Sequence, residues 1–151
     1  MGEITNLAGV IRVHGAAQGD KTALILGERS LSWSELRDRS ARAAQGLLAA
    51  GVAEQERVAF LDKNGFEHFE IMFGAAMINA VCVDVNWRLA APEVEFIVND
   101  TEAKVLVVGP DFVPILDAIA DNLTHVTTVV VIGGHERFRD YEEWILSLIH
   151  I

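Results

Sequence analysis

Basic residues are scarce in this sequence: Lys and Arg total 12 against 22 Asp and Glu, a formal net charge of −10. Such a balance repels phosphate backbones, which excludes nucleic acid as a partner. Cysteine occurs once, as Cys82. One thiol closes no internal disulfide, so a secreted disulfide scaffold is excluded. Cys82 reads as a small buried hydrophobe in a strand, because a nucleophile needs a base partner and the sequence nominates none. Three prolines and twelve glycines are dispersed, leaving no linker rich in either, no internal repeat and no low-complexity tract. No apolar run approaches the roughly 18 residues of a membrane span. Residues 1–13, with Glu3 and Arg12 around a brief apolar stretch, lack the basic and long apolar regions of a signal peptide. These absences point to the cytoplasm.

What remains is an ordinary globular composition. The chain has 151 residues, 51% hydrophobic and 23% charged, enough for one domain burying roughly two-thirds of its unfolded surface. Helical and extended periodicities alternate along it. Leu7, Val10, Ile11 and Ala17 have helical spacing, which predicts a helix over residues 7–16. Residues 21–26 and 31–33 read as short strands joined by the turn Gly27-Glu28-Arg29. Ser32-Trp33-Ser34-Glu35 is a capping-box pattern opening a helix that buries Leu36, Ser40, Ala43 and Leu47, with Ala44 and Leu48 beside them. Arg37, Asp38, Arg39 and Arg42 read as its solvated side, and Gly51 as its left-handed terminator.

Residues 57–61 follow as a strand and residues 66–80 as a helix apolar nearly all round, expected to be the most buried of all. The β-branched run 81–85 reads as a central parallel strand. Pro92 is placed as the first residue of another helix, with Glu93 and Glu95 near its positive end. A strand at 104–108, a helix at 110–122, a strand at 127–132 stopped by Gly133-Gly134, and a short helix at 141–146 complete the chain. The expected fold class is α/β: a mostly parallel sheet with helices on both faces.

The carboxyl ends of parallel strands are where a ligand site belongs in such a sheet. No G-x-G-x-x-G and no G-x-x-x-x-G-K-[ST] occurs. Residues 46–51 match the latter's glycine spacing, but they fall within a helix and Val52 follows. Gly133-Gly134 reads as a turn. The histidines at 14, 68, 125, 135 and 150 show no metal-ligand spacing. His68-Phe69-Glu70 matches an isolated H-x-E without its P-C-x-x-C companion, and no G-x-S-x-G is present. Asp62, Asp84 and Asn86 end or follow strands, the topological place for polar site residues, and equally a place where turns use such side chains. The sequence assigns no catalytic, cofactor-binding or metal-binding residue.

The same blocks nevertheless resemble a family. Asp20-Lys21-Thr22-Ala23-Leu24, Leu31-Ser32-Trp33-Ser34-Glu35-Leu36, Leu47 to Val52 and Arg57-Val58-Ala59 are similar to the opening of acyl-CoA synthetases. The resemblance continues through Lys63-Asn64-Gly65, Phe73-Gly74-Ala75-Ala76, Val85-Asn86-Trp87-Arg88-Leu89, Pro92-Glu93-Val94 and residues 100–106. Order and spacing together resemble the N-terminal region of the adenylate-forming, AMP-binding superfamily, nearest the fatty-acid–CoA ligases.

The resemblance implies an enzyme that activates a fatty acid or other carboxylate with Mg-ATP, then passes the acyl group to coenzyme A. It also implies that the family's phosphate loop, its adenine- and Mg-binding motifs and its C-terminal Lys lie beyond this segment, so residues 1–146 are expected to be an inactive N-terminal part. Met77 and Asn79 stand where relatives usually carry Lys or Leu and Gly. Residues 147–151 depart from the family pattern and resemble translated adaptor sequence, a non-native tail. Two other readings are a stand-alone flavodoxin-like module that holds a nucleotide or a partner, and a subunit that pairs with a chain carrying the missing motifs. Acyl chain length and oligomeric state are not encoded in these motifs.

Overall fold

The computed structural model describes residues 2–147. Of the pentapeptide expected to be non-native only Ser147 is among them, and residues 148–151 lie outside the described residues. Helix α1 (Leu7–Ala17) is capped by Asn6, whose side-chain oxygen accepts from the Gly9 amide at 2.8 Å. A hairpin follows, β1 (Thr22–Leu26) antiparallel to β2 (Arg29–Ser32). Gly27 turns it in the left-handed region, φ 61°. Ser32 then opens α2 (Trp33–Ala49), its hydroxyl accepting from the Glu35 amide at 3.1 Å. Gly51 follows with φ 85°, the expected left-handed residue past the helix end.

The remaining elements alternate: β3 (Arg57–Leu61), α3 (Phe66–Met77), β4 (Val81–Asp84), α4 (Ala91–Asp100), β5 (Val105–Val108), α5 (Val113–Ile119), β6 (Thr128–Val131), β7 (Arg139–Asp140) and α6 (Tyr141–Leu146). The five strands β4-β3-β5-β6-β7 pair parallel throughout. Every residue of β5 is buried, which is why it reads as a continuous apolar run rather than an alternating one. The pleat sends Val58, Phe60, Val105, Val107 and Val130 into a core with α2, α3 and α6. Ala59, Leu61, Leu106, Val108 and Val131 face α4 and α5 on the other side. Ile11 of α1, Leu36 of α2 and Phe73 of α3 form an outer cluster, against which hairpin residues Leu24 and Leu31 pack. The expected α/β sheet with helices on both faces is the observed architecture. Among the described residues no helix is long and apolar enough to cross a membrane.

Several expectations change in detail. Strand β4 is not central: it is an edge, with Val81 and Asp84 exposed, because β5 returns to the other side of β3. The helix expected to run to residue 80 ends at Met77. Asn79 is left-handed there (φ 57°), tolerated because its short amide side chain bonds locally. Its Oδ1 accepts from Gln55 Nε2 at 2.7 Å, and Gln55, itself left-handed at φ 64°, donates its backbone N–H to Asn79 O at 2.7 Å. Pro92 lies one residue inside α4, whose start is tied by Glu93 accepting from the Ala90 amide at 2.9 Å. The stretch 110–122 is three short pieces, with α5 flanked by 3-10 turns at Pro110–Phe112 and Ala120–Asn122. Leu48, expected beside the buried face of α2, is 49% exposed. The two-residue β7 carries no periodicity and was not expected. Helix α3 does bury Phe66, Glu70, Ile71, Phe73, Gly74 and Ala75. Its closest approach is to α2, where a Cβ on Gly74 would lie 2.9 Å from Ser40 O.

Candidate functional site

The carboxyl edge of the sheet gathers Asp62, Asp84, Asn86 and the glycines after β5 and β6. Asp62 follows β3 directly, and its Oδ1 accepts from the Lys63 amide at 2.7 Å. A Cβ on Gly109 would fall 2.0 Å from the Asp62 carboxyl carbon, so any larger residue at the end of β5 would displace this carboxylate. Burial raises the Asp62 pKa, the Lys63 amide opposes that and nearby Asp111 adds to it. The folded protein therefore holds this proton more tightly than the unfolded chain does. Ionising Asp62 weakens the fold as pH rises through its unfolded pKa, and the cost is absent once both states are protonated. Asp62→Asn is expected to raise Tm at neutral pH and to leave it unchanged near pH about 3, which a thermal-melt series across pH measures.

Beyond Asp62, the β4 loop folds on itself, with Asn86 Oδ1 accepting from the Arg88 amide at 3.0 Å. Trp87 lies between two cations, Arg88 at 4.3 Å and Lys63 at 5.1 Å from its ring, which draws the loops after β3 and β4 together. His68, in the first turn of α3, reaches Asp84: Nε2 lies 3.0 Å from Oδ1. Cys82 Sγ donates to the same oxygen at 3.6 Å. Burial and then the Asp84 charge push the Cys82 thiol up to about 12. It stays protonated at neutral pH and is inert as a nucleophile.

Gly133 and Gly134 are both left-handed (φ 90° and 86°), and the Gly134 amide is used by Val131 O at 3.2 Å. The pair makes a turn, as its sequence suggests. His135 beyond it is held on both nitrogens, Nδ1 accepting from the Arg137 amide at 2.9 Å and Nε2 lying 2.8 Å from Asp117 Oδ1. Among the described residues no group of three His, Cys, Asp or Glu is arranged to hold a metal ion.

The second polar constellation escaped the sequence analysis. Glu70, on the helix read as apolar nearly all round, is fully buried (0%). Arg39, read as solvated, turns inward instead, with Nε 2.5 Å from Glu70 Oε2 and Nη2 3.2 Å from Oε1. The Tyr141 hydroxyl donates to Glu70 Oε1 at 2.9 Å, and Glu142 closes on Arg39 from the solvent side. Burial alone would lower the Arg39 pKa, but its hydrogen bonds to Glu70 and Glu142 outweigh that and raise it further. Tyr141 is raised well above the usual phenol range, by burial first and then by the Glu70 charge. The group is an Arg39–Glu70 ion pair with the Tyr141 hydroxyl as an added donor. Its sequence signal was the E at the third place of H-x-E, which falls on the α2-facing side of α3. Ordinary helical spacing masks it, because Arg39 and Glu70 are 31 residues apart.

The family model of the AMP-binding enzyme matches residues 11–145. An indoleacetate–CoA ligase of Aromatoleum aromaticum is 36% identical over 129 residues, covering 85% of this chain and 25% of that protein. A long-chain-fatty-acid–CoA ligase of Mycobacterium tuberculosis, FadD13, is 40% identical over 89 residues, covering 59% of this chain and 18% of that one. The crystal structure of the anthranilate CoA ligase AuaEII in complex with anthranoyl-AMP superposes with a TM-score of 0.87 at 28% identity, covering 96% of this chain and 28% of that one. The chain thus spans about a quarter or less of the length of these curated relatives. Matched along nearly its whole length by that model, and by these ligases in sequence and in fold, the chain belongs to the AMP-binding enzyme family.

Proposed function

We propose that this chain is the N-terminal portion of a cytoplasmic ATP-dependent fatty-acid–CoA ligase, with residues 1–146 supporting a site whose reacting groups come from other segments and residues 147–151 a non-native tail. The observation that carries the reading is the AMP-binding match over residues 11–145 in a chain that covers only 25% of a full ligase. The fatty acid is favoured by the 40% identity to a long-chain-fatty-acid–CoA ligase. In the reaction, a carboxylate oxygen attacks the α-phosphorus of ATP and pyrophosphate leaves. The thiol of coenzyme A then attacks the acyl carbon and AMP leaves.

The residues at the carboxyl edge do not fit a magnesium triphosphate. Asp62 and Asp84 end the strands there, a Cβ on Gly109 would meet the Asp62 carboxylate, the Gly134 amide is spent in a turn, and among the described residues Lys63 is already directed at Asp111 and Arg137 at Asp121. Adenylation demands aligned donors and a cation at the transferring phosphate. No step is therefore routed through this edge.

The expected result is that residues 1–151 release no pyrophosphate with any fatty acid. Fused to the remaining segments of a related fatty-acid ligase, the same region should support fatty-acid-dependent release. A coupled pyrophosphate assay reads both. Release by the isolated chain would overturn the supporting role, and a folded fusion that releases none would overturn the ligase reading.

A further inference from the structure

We propose that Asn64-Gly65 is a self-modifying site, at which the folded protein converts Asn64 to aspartate and isoaspartate with loss of ammonia. The inference goes beyond the ligase reading and does not depend on it.

The chain has six asparagines, at 6, 64, 79, 86, 99 and 122, and Asn64 alone is followed by glycine. The other five have their side-chain amides engaged. Asn6 accepts from the Gly9 amide, Asn79 from Gln55 and Asn86 from the Arg88 amide. Asn99 donates to Asn122 O and accepts from the Thr124 amide, and Asn122 donates to Glu95. Asn64 is exposed in the bend between β3 and α3, and among the described residues no hydrogen bond holds its side chain or the Gly65 amide. Gly65 is the residue before α3, so its N–H stands outside the helical ladder. Both partners of an intramolecular attack are thus free.

The Gly65 amide nitrogen, once its proton has passed to hydroxide, attacks Asn64 Cγ. The N–Cγ bond forms, the Cγ–Nδ2 bond breaks, and the departing nitrogen takes up a proton and leaves as ammonia. Water then opens the cyclic imide. Addition at Cγ yields aspartate, and addition at the main-chain carbonyl yields isoaspartate, whose backbone runs through the side-chain carbon. Net, one water is consumed and one ammonia released. A side chain on the attacking residue would crowd this approach, and glycine has none. A bonded amide would first have to give up its acceptor, as the Ala80 amide after Asn79 would, held by Ala75 O at 2.9 Å. The new carboxylate falls near the positive end of α3, a helix of 12 residues, which favours it. In the isoaspartyl form an extra backbone carbon enters between Lys63, which stands 5.1 Å from the Trp87 ring, and α3.

Incubating the 151-residue chain in mildly alkaline buffer, folded and in urea, tests the proposal. Isoelectric focusing reads the charge, and peptide mapping with isoaspartate detection locates it. Gly65→Ala is the comparison variant: φ at 65 is −132°, ordinary for alanine, and a Cβ there would meet the flexible end of Glu67 at 3.2 Å. Folded wild type is expected to gain one negative charge with time, at residue 64, while the other five asparagines stay intact. Gly65→Ala is expected to slow the change severalfold. Asn64 that survives unchanged in the folded wild type would overturn the proposal, and so would conversion confined to the urea-unfolded chain, since the fold would then protect the pair. An equal rate in Gly65→Ala would overturn the cyclisation.

Discussion

Replacing Arg39 with Met is expected to lower folding stability by about 3–5 kcal/mol, the usual effect of removing one partner of a buried ion pair. Glu70 is fully buried and takes its charge compensation from Arg39, through two of that guanidinium's nitrogens. Met preserves the apolar stem along α2 but leaves the carboxylate facing Tyr141 alone. The triple variant Arg39→Met, Glu70→Leu, Tyr141→Phe is expected to recover most of the loss. It strands neither a charge nor a hydroxyl, and apolar replacement of a complete buried pair is often neutral. Urea melts of both proteins measure the two values. A single-variant cost under about 1 kcal/mol would show the pair to be no more than a surface bridge.

Phe73→Ala is expected to cost about 3–5 kcal/mol as well, through lost transfer free energy and a residual cavity. The ring is 6% exposed and is the α3 member of the outer cluster with Ile11 of α1 and Leu36 of α2. Its loss removes the contact by which three helices meet, in a cluster separate from those that cover the parallel sheet. The same melts read it, and a cost below about 1 kcal/mol would mean that α1 and the hairpin collapse onto the gap at little cost.

The sheet was legible because its strands report their burial directly. Strand β5 and most of β3 are apolar at every position, and only a strand covered on both faces tolerates that. Strand β4 is also apolar up to Asp84, yet composition does not say which neighbour a strand takes, so its edge position could not be read. Strand β7 has two residues, Arg139 and Asp140, below the length at which any period exists. The candidate site divides in the same way. Asp62, Asp84 and the two glycines sit at strand ends as topology demands, since that follows from element order alone. The Arg39–Glu70–Tyr141 group was illegible because its members lie on three elements, and each looks ordinary locally: an arginine on an amphipathic helix, a glutamate one turn into another, a tyrosine opening a third.

The Gln55–Asn79 contact at the opposite, amino edge of the sheet carries an implication for how this sequence can drift. Two non-glycine residues hold left-handed backbones there, and each stabilises the other through the hydrogen bonds that Gln55 donates to Asn79. A glycine at 79 would relax its own backbone but leave Gln55 constrained and without the side-chain acceptor that tethers it. A glycine at 55 would likewise leave Asn79 alone in a conformation that L-residues avoid. The two positions are thus energetically coupled across the starts of β3 and β4, and glycine at both is expected to cost less than the sum of the two single replacements.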